Sequence, residues 1–225
     1  GVRIHYVGHA TFLIRSPEGV TVATDYNGSL GATSFLPDVV TMNHAHETHW
    51  TPAPPAAIPH VLRGWAPDWG LPAEHHAEIG DMLIRNVPTD IRAWGTVEEN
   101  GNSIFVFEVD GLCIGHLGHL HHQPNDAQYA ALGRLDVVMA AVDGSMTINQ
   151  DEMVEILQRL RSSVVIPMHW FRPATLERFL DRMAQDFAIE RPGTADYAVS
   201  LKTLPRQPTV VVLEPRLLRR ESPSE

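Results

Sequence analysis

The chain has 225 residues, and 44% of them are hydrophobic, which is enough to bury a sizeable core in one α/β or sandwich unit. The net charge of −10 gives no electrostatic footprint for nucleic acid, so we expect no partner of that class. The single cysteine, Cys113, excludes an intrachain disulfide and a cysteine-based zinc site. No apolar run approaches the roughly 20 residues that a membrane span requires.

The sequence leaves the cellular compartment and the oligomeric state open. No signal peptide is recognisable, and the chain opens at Gly1 directly on a strand pattern. A cytoplasmic location is favoured over a periplasmic one, which would apply if Gly1 follows a removed signal.

The first part of the chain has the turns and apolar runs of a β-rich fold. Strands are predicted at residues 2–7, 11–15, 20–24, 38–42 and 61–62. Four prolines between residues 51 and 59 exclude a regular helix there. Further strands are predicted at 82–87, 103–108 and 112–117, and the last two flank the hairpin signal Asp110-Gly111.

In the second part, strands alternate with helices. A short helix is predicted from a cap at Asn125 to Leu132, and helical spacing recurs over 153–160 and from Pro173 to Phe187. Buried strands are predicted at 136–142, 164–168 and 209–213. We therefore expect one domain over residues 1–215, followed by a charged tail at 216–225.

Several of the apolar runs end in loops that are rich in histidine. These strand ends carry His44, His46, His49, His116, His119, Asp143 and His169. Loops at the carboxyl ends of neighbouring strands gather functional groups in α/β folds. Because neutral imidazole is a common metal ligand, three or four of these side chains around one ion would suit catalytic zinc with an open position.

An isolated histidine after a strand is more often a hydrogen-bonded structural residue, and we interpret His5, His60, His75 and His76 in this way. His121 and His122 are expected in solvent. The alternation of His44 and His46 would place them on opposite faces of a continuing strand, so both can converge only if a loop begins there. The proline-rich stretch that follows favours such a loop.

Five segments, taken in order, resemble the metallo-β-lactamase fold superfamily over nearly the whole chain. They are Gly8-His9-Ala10, Thr24-Asp25, His44-Ala45-His46-Glu47-Thr48-His49, His116-Leu117-Gly118-His119 and Ile166-Pro167-Met168-His169. The resemblance is greatest to the branch of small hydrolases that includes ascorbate-6-phosphate lactonase-like enzymes. It implies an αββα sandwich of two mixed β-sheets flanked by helices, with metal held at the strand-end loops.

Two departures from that family's pattern affect the expected metal site. Thr48 and His119 stand where the family has aspartates that bind the second metal and bridge the two ions. Two dications held by neutral ligands alone would repel each other, so we predict one ion. The expected ligands are His44, His46, His119 and His169, with His49 as a ligand or its partner; zinc is favoured, with iron or manganese as alternatives.

Two carboxylates could assist such an ion. Asp25 is expected to orient a ligand from behind. Asp143 could act as general base, although an Asx turn before Gly144 is the simpler interpretation. Asp143 and His49 are the candidate catalytic residues.

Two functions remain open from the sequence. The first is a metal-dependent hydrolase, in which metal-bound hydroxide attacks a small-molecule ester, lactone, amide or phosphoester. The second is a non-hydrolytic or degenerate metal-binding protein, holding iron or copper, that retains the fold.

Overall fold

Two mixed β-sheets face each other in the computed structural model, which describes residues 1–31, 33–93 and 95–216. The six-stranded sheet has the order β13 (Asp196–Val199), β1 (Val2–Gly8), β2 (Thr11–Arg15), β3 (Thr21–Ala23), β4 (Val39–Met42) and β5 (His60–Arg63). The eight-stranded sheet has the order β12 (Ala188–Glu190), β14 (Thr209–Val211), β11 (Val164–Met168), β10 (Val137–Ala141), β9 (Leu112–His116), β8 (Thr96–Val109), β7 (Met82–Ala93) and β6 (His76–Ile79).

The core between the sheets is built from alternate residues of their facing strands. Ile4, Tyr6 and Phe12 of the first sheet meet Phe105 and Phe107 of the second, and all are buried. Tyr6 and Phe12 stack with ring centroids 4.4 Å apart. Because side chains alternate across a strand, these positions fix which face of each strand turns inward.

Three helices cover the outer face of the eight-stranded sheet: α1 (Asp126–Leu132), α2 (Gln150–Leu160) and α3 (Pro173–Met183). All their buried apolar residues belong to the cluster on that face. The outer face of the other sheet is partly covered by loop residues such as Tyr26, Leu30 and Ile58. The predicted sandwich of two mixed sheets is confirmed, but within the described residues its α-helices flank one sheet only.

The strand predictions were correct for the central strands and incomplete at the edges. β6, β12 and β13 were missed, and each is the outermost strand of its sheet. Edge strands are short and half-exposed, so they lack a clear apolar alternation. The hairpin of β7 and β8 also extends beyond its predicted limits, because the two strands stay paired past Pro88 as far as Ala93 and Thr96. The tail predicted at 216–225 lies outside the described residues, apart from Arg216.

No helix among the described residues is long and apolar enough to cross a membrane.

Gly118, in the loop after β9, has tight surroundings near the strand ends. Its φ is +63°, and a Cβ there would lie 2.5 Å from Asn43 Nδ2 and 2.6 Å from Asn102 Oδ1. Asn102 accepts a hydrogen bond from the backbone N–H of His119 at 2.8 Å. A side chain at Gly118 would therefore displace two buried amides that hold the neighbouring loops.

We expect Gly118→Ala to lower the free energy of unfolding by about 1–3 kcal/mol more than Gly193→Ala does, because buried hydrogen bonds must break. Gly193 has a similar φ of +73° with no atom within 4 Å of the added Cβ, so it controls for backbone strain alone. Urea unfolding followed by circular dichroism measures both variants. Equal losses would mean that the packing around Gly118 contributes nothing.

Candidate metal centre

Five imidazole rings converge at the ends of β1, β4, β9 and β11. They belong to His9, His46, His49, His119 and His169. The ring centroids of His9 and His169 are 4.1 Å apart, and His119 lies 4.8 Å from His49 and 5.1 Å from His46. One ligand nitrogen from each of His9, His49 and His169 lies within 4.8 Å of the other two. His49, His119 and His169 are buried, whereas His46 is exposed, so the cluster has a closed interior and one open side.

The backbone at three positions around this cluster is left-handed, which side chains other than glycine rarely adopt. The φ angles are +55° at His9, +41° at Asp25 and +60° at His169. Each such residue costs about 1–3 kcal/mol unless the surroundings hold it. Here the His169 N–H donates to the His9 carbonyl at 3.0 Å, and the Tyr6 hydroxyl donates to the same carbonyl at 2.6 Å.

Asp25 fixes the orientation of His49 from behind. Its Oδ2 lies 2.6 Å from His49 Nδ1, both side chains are fully buried, and Asn43 donates to Oδ1 at 2.8 Å. Burial raises the pKa of Asp25 to about 6. When the carboxylate accepts the Nδ1–H, the His49 Nε2 keeps its lone pair and points into the cluster.

Asp143 has two sets of contacts beside His169. Its Oδ1 lies 3.1 Å from His169 Nδ1, in a close contact without hydrogen-bond geometry. Its oxygens also accept from the backbone N–H of Met146 at 2.7 Å and from the Thr147 hydroxyl at 2.6 Å. Burial would raise the pKa of Asp143, but the adjacent His169 and the Thr147 and Met146 donors hold it well below its usual range.

The partner of His119 is a histidine, whereas the partners of His49 and His169 are carboxylates. Its Nδ1 lies 2.5 Å from Nε2 of His121, so one of the two nitrogens donates and the other accepts. The Nε2 of His119 is buried and has no hydrogen-bond partner among the described residues. A buried nitrogen without a partner costs free energy. This atom is therefore the clearest candidate to bind a ligand that enters the cluster.

The interior rings are held in the neutral form that binds metal. Burial, followed by the charges of His169 and His49, lowers the pKa of His9 to about 3. Burial also lowers the pKa values of His49 and His119 well below the usual value for histidine. All three therefore present lone pairs at neutral pH.

Two side chains of the predicted motif have other partners. His44 Nδ1 lies 2.5 Å from Glu98 Oε1, and its ring packs against Trp50 and Trp65 at 5.2 and 4.9 Å. No ring contact joins it to the other histidines within the described part of the chain. Thr48 Oγ1 lies 3.1 Å from His9 Nε2.

A cavity of about 530 Å³ opens beside the cluster. It is lined by His44, His46, His119 and His121, and by Arg92 at the end of the long hairpin. Met146 and Phe171 border a second opening that His46 also lines, and they are 40% and 56% exposed. The space has the size and mixed polarity of a small-molecule site.

The sequence profile of the family described as "Beta-lactamase superfamily domain" matches residues 3–169. The chain belongs to this family. Membership accounts for the order, along the chain, of the strand-end motifs that carry the clustered histidines. It confirms the family expected from the sequence.

Relatives and solved structures agree with this assignment. A UPF0173 metal-dependent hydrolase from Thermoplasma volcanium is 26% identical over 196 residues, covering 75% of this chain and 83% of the relative. A candidate Zn-dependent hydrolase of the metallo-β-lactamase superfamily from Thermotoga maritima shares 25% identity with a TM-score of 0.68, covering 95% of this chain and 99% of the other. Together with the family, these likenesses support the hydrolase class expected from the sequence.

The fold also occurs in another enzyme class. The CmlA β-hydroxylase has a TM-score of 0.61 at 14% identity, covering 95% of this chain and 52% of the hydroxylase. At that identity the likeness concerns the fold alone.

The structure brings together His46, His49, His119 and His169 of the expected ligand set, and it places His44 at the cavity wall. Sequence reasoning assigned no role at the site to His9 and placed His121 in solvent. His9 had a usable signal, because Gly8-His9-Ala10 ends a strand as the other site residues do. His121 had none, since its position depends on the path of the loop after β9.

We expect Asp143→Ala to lower the free energy of unfolding by about 1.5–3 kcal/mol, because it removes a charged acceptor from the donors of residues 145–147. Asp143→Asn should cost less, since an amide oxygen can still accept from the Met146 N–H. Chemical unfolding of both variants tests this. Asp151→Ala, which removes an exposed partner of Arg182, should cost less than about 1 kcal/mol; an equal cost at Asp143 would contradict the turn-capping role.

Proposed function

We propose that the protein is a metal-dependent hydrolase that holds one ion between neutral imidazoles and acts on a small-molecule ester, lactone, amide or phosphoester. His49, His119 and His169 are the proposed ligands, with His9 beside them. His46 borders the open side. Zinc is the first choice of metal because catalytic zinc takes three protein ligands in a tetrahedron and keeps the fourth position open for water, and iron or manganese are the alternatives.

The contact between His49 and His169 carries this proposal. Their Nε2 atoms are 3.3 Å apart, while the Nδ1 atoms face Asp25 and Asp143. If both Nδ1 atoms carry hydrogens, both Nε2 atoms are acceptors, and two lone pairs at this distance repel. A cation removes the repulsion. Two nitrogens bound to a tetrahedral zinc ion are separated by about 3.3 Å, given Zn–N bonds of about 2.0–2.1 Å.

The positions of the carboxylates support a single ion. Asp25 and Asp143 face the Nδ1 atoms of His49 and His169, on the sides of the rings away from their Nε2 atoms. The Thr48 hydroxyl contacts His9 and supplies no negative charge. Without a carboxylate directed between two metal positions, a second dication would meet only neutral ligands.

A bound ion would supply a Lewis acid that polarises the scissile oxygen and lowers the pKa of water for attack. The protein's own contribution is orientation: Asp25, Asp143 and His121 hold the rings of His49, His169 and His119. We assign Asp143 to such a holding role and His49 to the ligands, because the Asp143 carboxylate is already engaged by its turn.

The surroundings favour a small substrate with mixed polarity. Met146 and Phe171 give the rim an exposed apolar surface, and Arg92 gives the cavity a positive charge. His44, held by Glu98 at the cavity wall, is placed to contact substrate in preference to metal.

A second candidate is a non-hydrolytic metalloprotein that holds iron or copper. The all-imidazole donor set favours it, because imidazole also suits iron and copper, and Asp25 and Asp143 are both engaged and not free to act as general base.

We expect about one equivalent of metal in the gently purified protein, lost in His49→Ala and in His169→Ala. Elemental mass spectrometry measures it. His60→Ala, an exposed ring on β5, is the matched control and should keep the metal. Hydrolysis of chromogenic esters, lactones and phosphodiesters should fall with metal content. No metal after reloading would refute the site, whereas one redox-active ion without hydrolysis would favour the second candidate.

Thr48→Asp should raise the metal content towards two equivalents, because a carboxylate at this position restores negative charge beside His9. The same elemental measurement tests this, with Thr48→Asn as the neutral control of similar shape. Two equivalents already present in the unaltered protein would show that the account of a single ion is wrong. A variant that stays at one equivalent would show that Thr48 does not control the number of ions.

A further inference from the structure

A second cavity, of about 250 Å³, lies on the outer face of the six-stranded sheet. It is lined by three arginines, Arg3, Arg15 and Arg216, together with His5 and Asp196. It shares no lining residue with the histidine-lined cavity. Within the described residues no helix covers this face, so part of it stays open to solvent.

Two of these arginines are direct neighbours across the strands. Arg3 of β1 and Arg15 of β2 are Cα partners in an antiparallel pair, so their side chains leave the same face of the sheet. Like charges placed directly opposite each other destabilise a sheet. This pairing therefore costs stability unless an anion lies against it.

No carboxylate in the described part of the chain forms an ion pair with Arg3, Arg15 or Arg216. The carboxylate that lines the cavity, Asp196, is engaged by His5 at 2.7 Å. Arg15 Nε donates to the Thr21 hydroxyl at 3.4 Å, and the Arg216 guanidinium donates to the Leu30 carbonyl. Both contacts are to neutral oxygens, so most of the guanidinium donors remain available. In a chain of net charge −10, three neighbouring arginines without ion-pair partners in the described residues mark a locally positive surface.

The cavity also has an apolar side. Leu13, Leu30 and Phe35 line it, and Phe35 is 36% exposed. An ordinary hydrated phosphate or chloride ion would leave this surface unused. A ligand with both an anionic head and a short hydrocarbon part would use the whole cavity.

We propose that this cavity binds a small organic anion, whose carboxylate or phosphate group lies between Arg3, Arg15 and Arg216 and whose apolar body packs against Leu13, Leu30 and Phe35. Guanidinium groups bind both oxyanions through paired charge-assisted hydrogen bonds. The site is separate from the metal centre, and binding there does not depend on the proposed hydrolase activity.

Isothermal titration calorimetry with hexyl phosphate and hexanoate tests the proposal. At least one of them should bind the unaltered protein, and comparison of the two identifies the preferred head group. Arg15→Gln should weaken binding about tenfold or more, and Arg3→Gln combined with Arg15→Gln should abolish it. Arg178→Gln, which removes an exposed arginine from α3, is the matched control and should bind as the unaltered protein does.

Two further variants, one at the metal centre and one on the apolar side of the cavity, test where the ligand binds. His169→Ala should bind hexyl phosphate normally, since the metal centre is not involved. Phe35→Ala should reduce the preference for hexyl phosphate over inorganic phosphate. In the absence of ligand, Arg15→Gln should unfold at the same or a higher temperature than the unaltered protein, because it relieves repulsion. Absence of binding at millimolar ligand, or binding that survives the double arginine variant, would overturn the proposal.

Discussion

The buried contact between Asp25 and His49 is the interaction on which the rest of the site depends. A carboxylate with no exposed surface is costly unless each oxygen has a donor, and here His49 and Asn43 supply them at 2.6 and 2.8 Å. The arrangement leaves only one nitrogen of His49 available to the cluster. Asp143 lies beside His169, and His121 lies beside His119, in the same way. Asp25, Asp143 and His121 therefore determine which nitrogen of each ring faces the cluster.

The sandwich supplies the rigidity that this arrangement requires. Asn43 is held between the loops: it donates to Asp25 and accepts from the Ser103 N–H at 2.7 Å, so it joins the end of β4 to β8. The left-handed residues His9 and His169 are joined by their own backbone hydrogen bond across the ends of β1 and β11. The strand ends of the two sheets are therefore joined at one edge of the sandwich. A change in either sheet would move the histidine rings of the cluster.

The sequence predicted central strands better than edges, and strand-end residues better than their orientations. Buried strands such as β10 and β11 stand out as apolar runs, whereas β13 does not, because half of its surface faces solvent. His49, His119 and His169 could be proposed for the site because each lies after such a run. The orientation of His44 towards Glu98 could not be predicted, since Glu98 lies on a hairpin extension beyond Pro88 whose length the sequence does not reveal.

The two departures from the family's aspartate pattern are each linked to a second histidine in the structure. Thr48, in place of one aspartate, contacts His9, and His119, in place of the other, contacts His121. At both positions the carboxylate is absent, and the residue that replaces it contacts an imidazole. The proposal of a single ion rests on this loss of anionic charge, because a second dication would meet only neutral donors. The same substitutions account for the neutral state of the interior rings: with no added carboxylate at 48 or 119, burial dominates their pKa values.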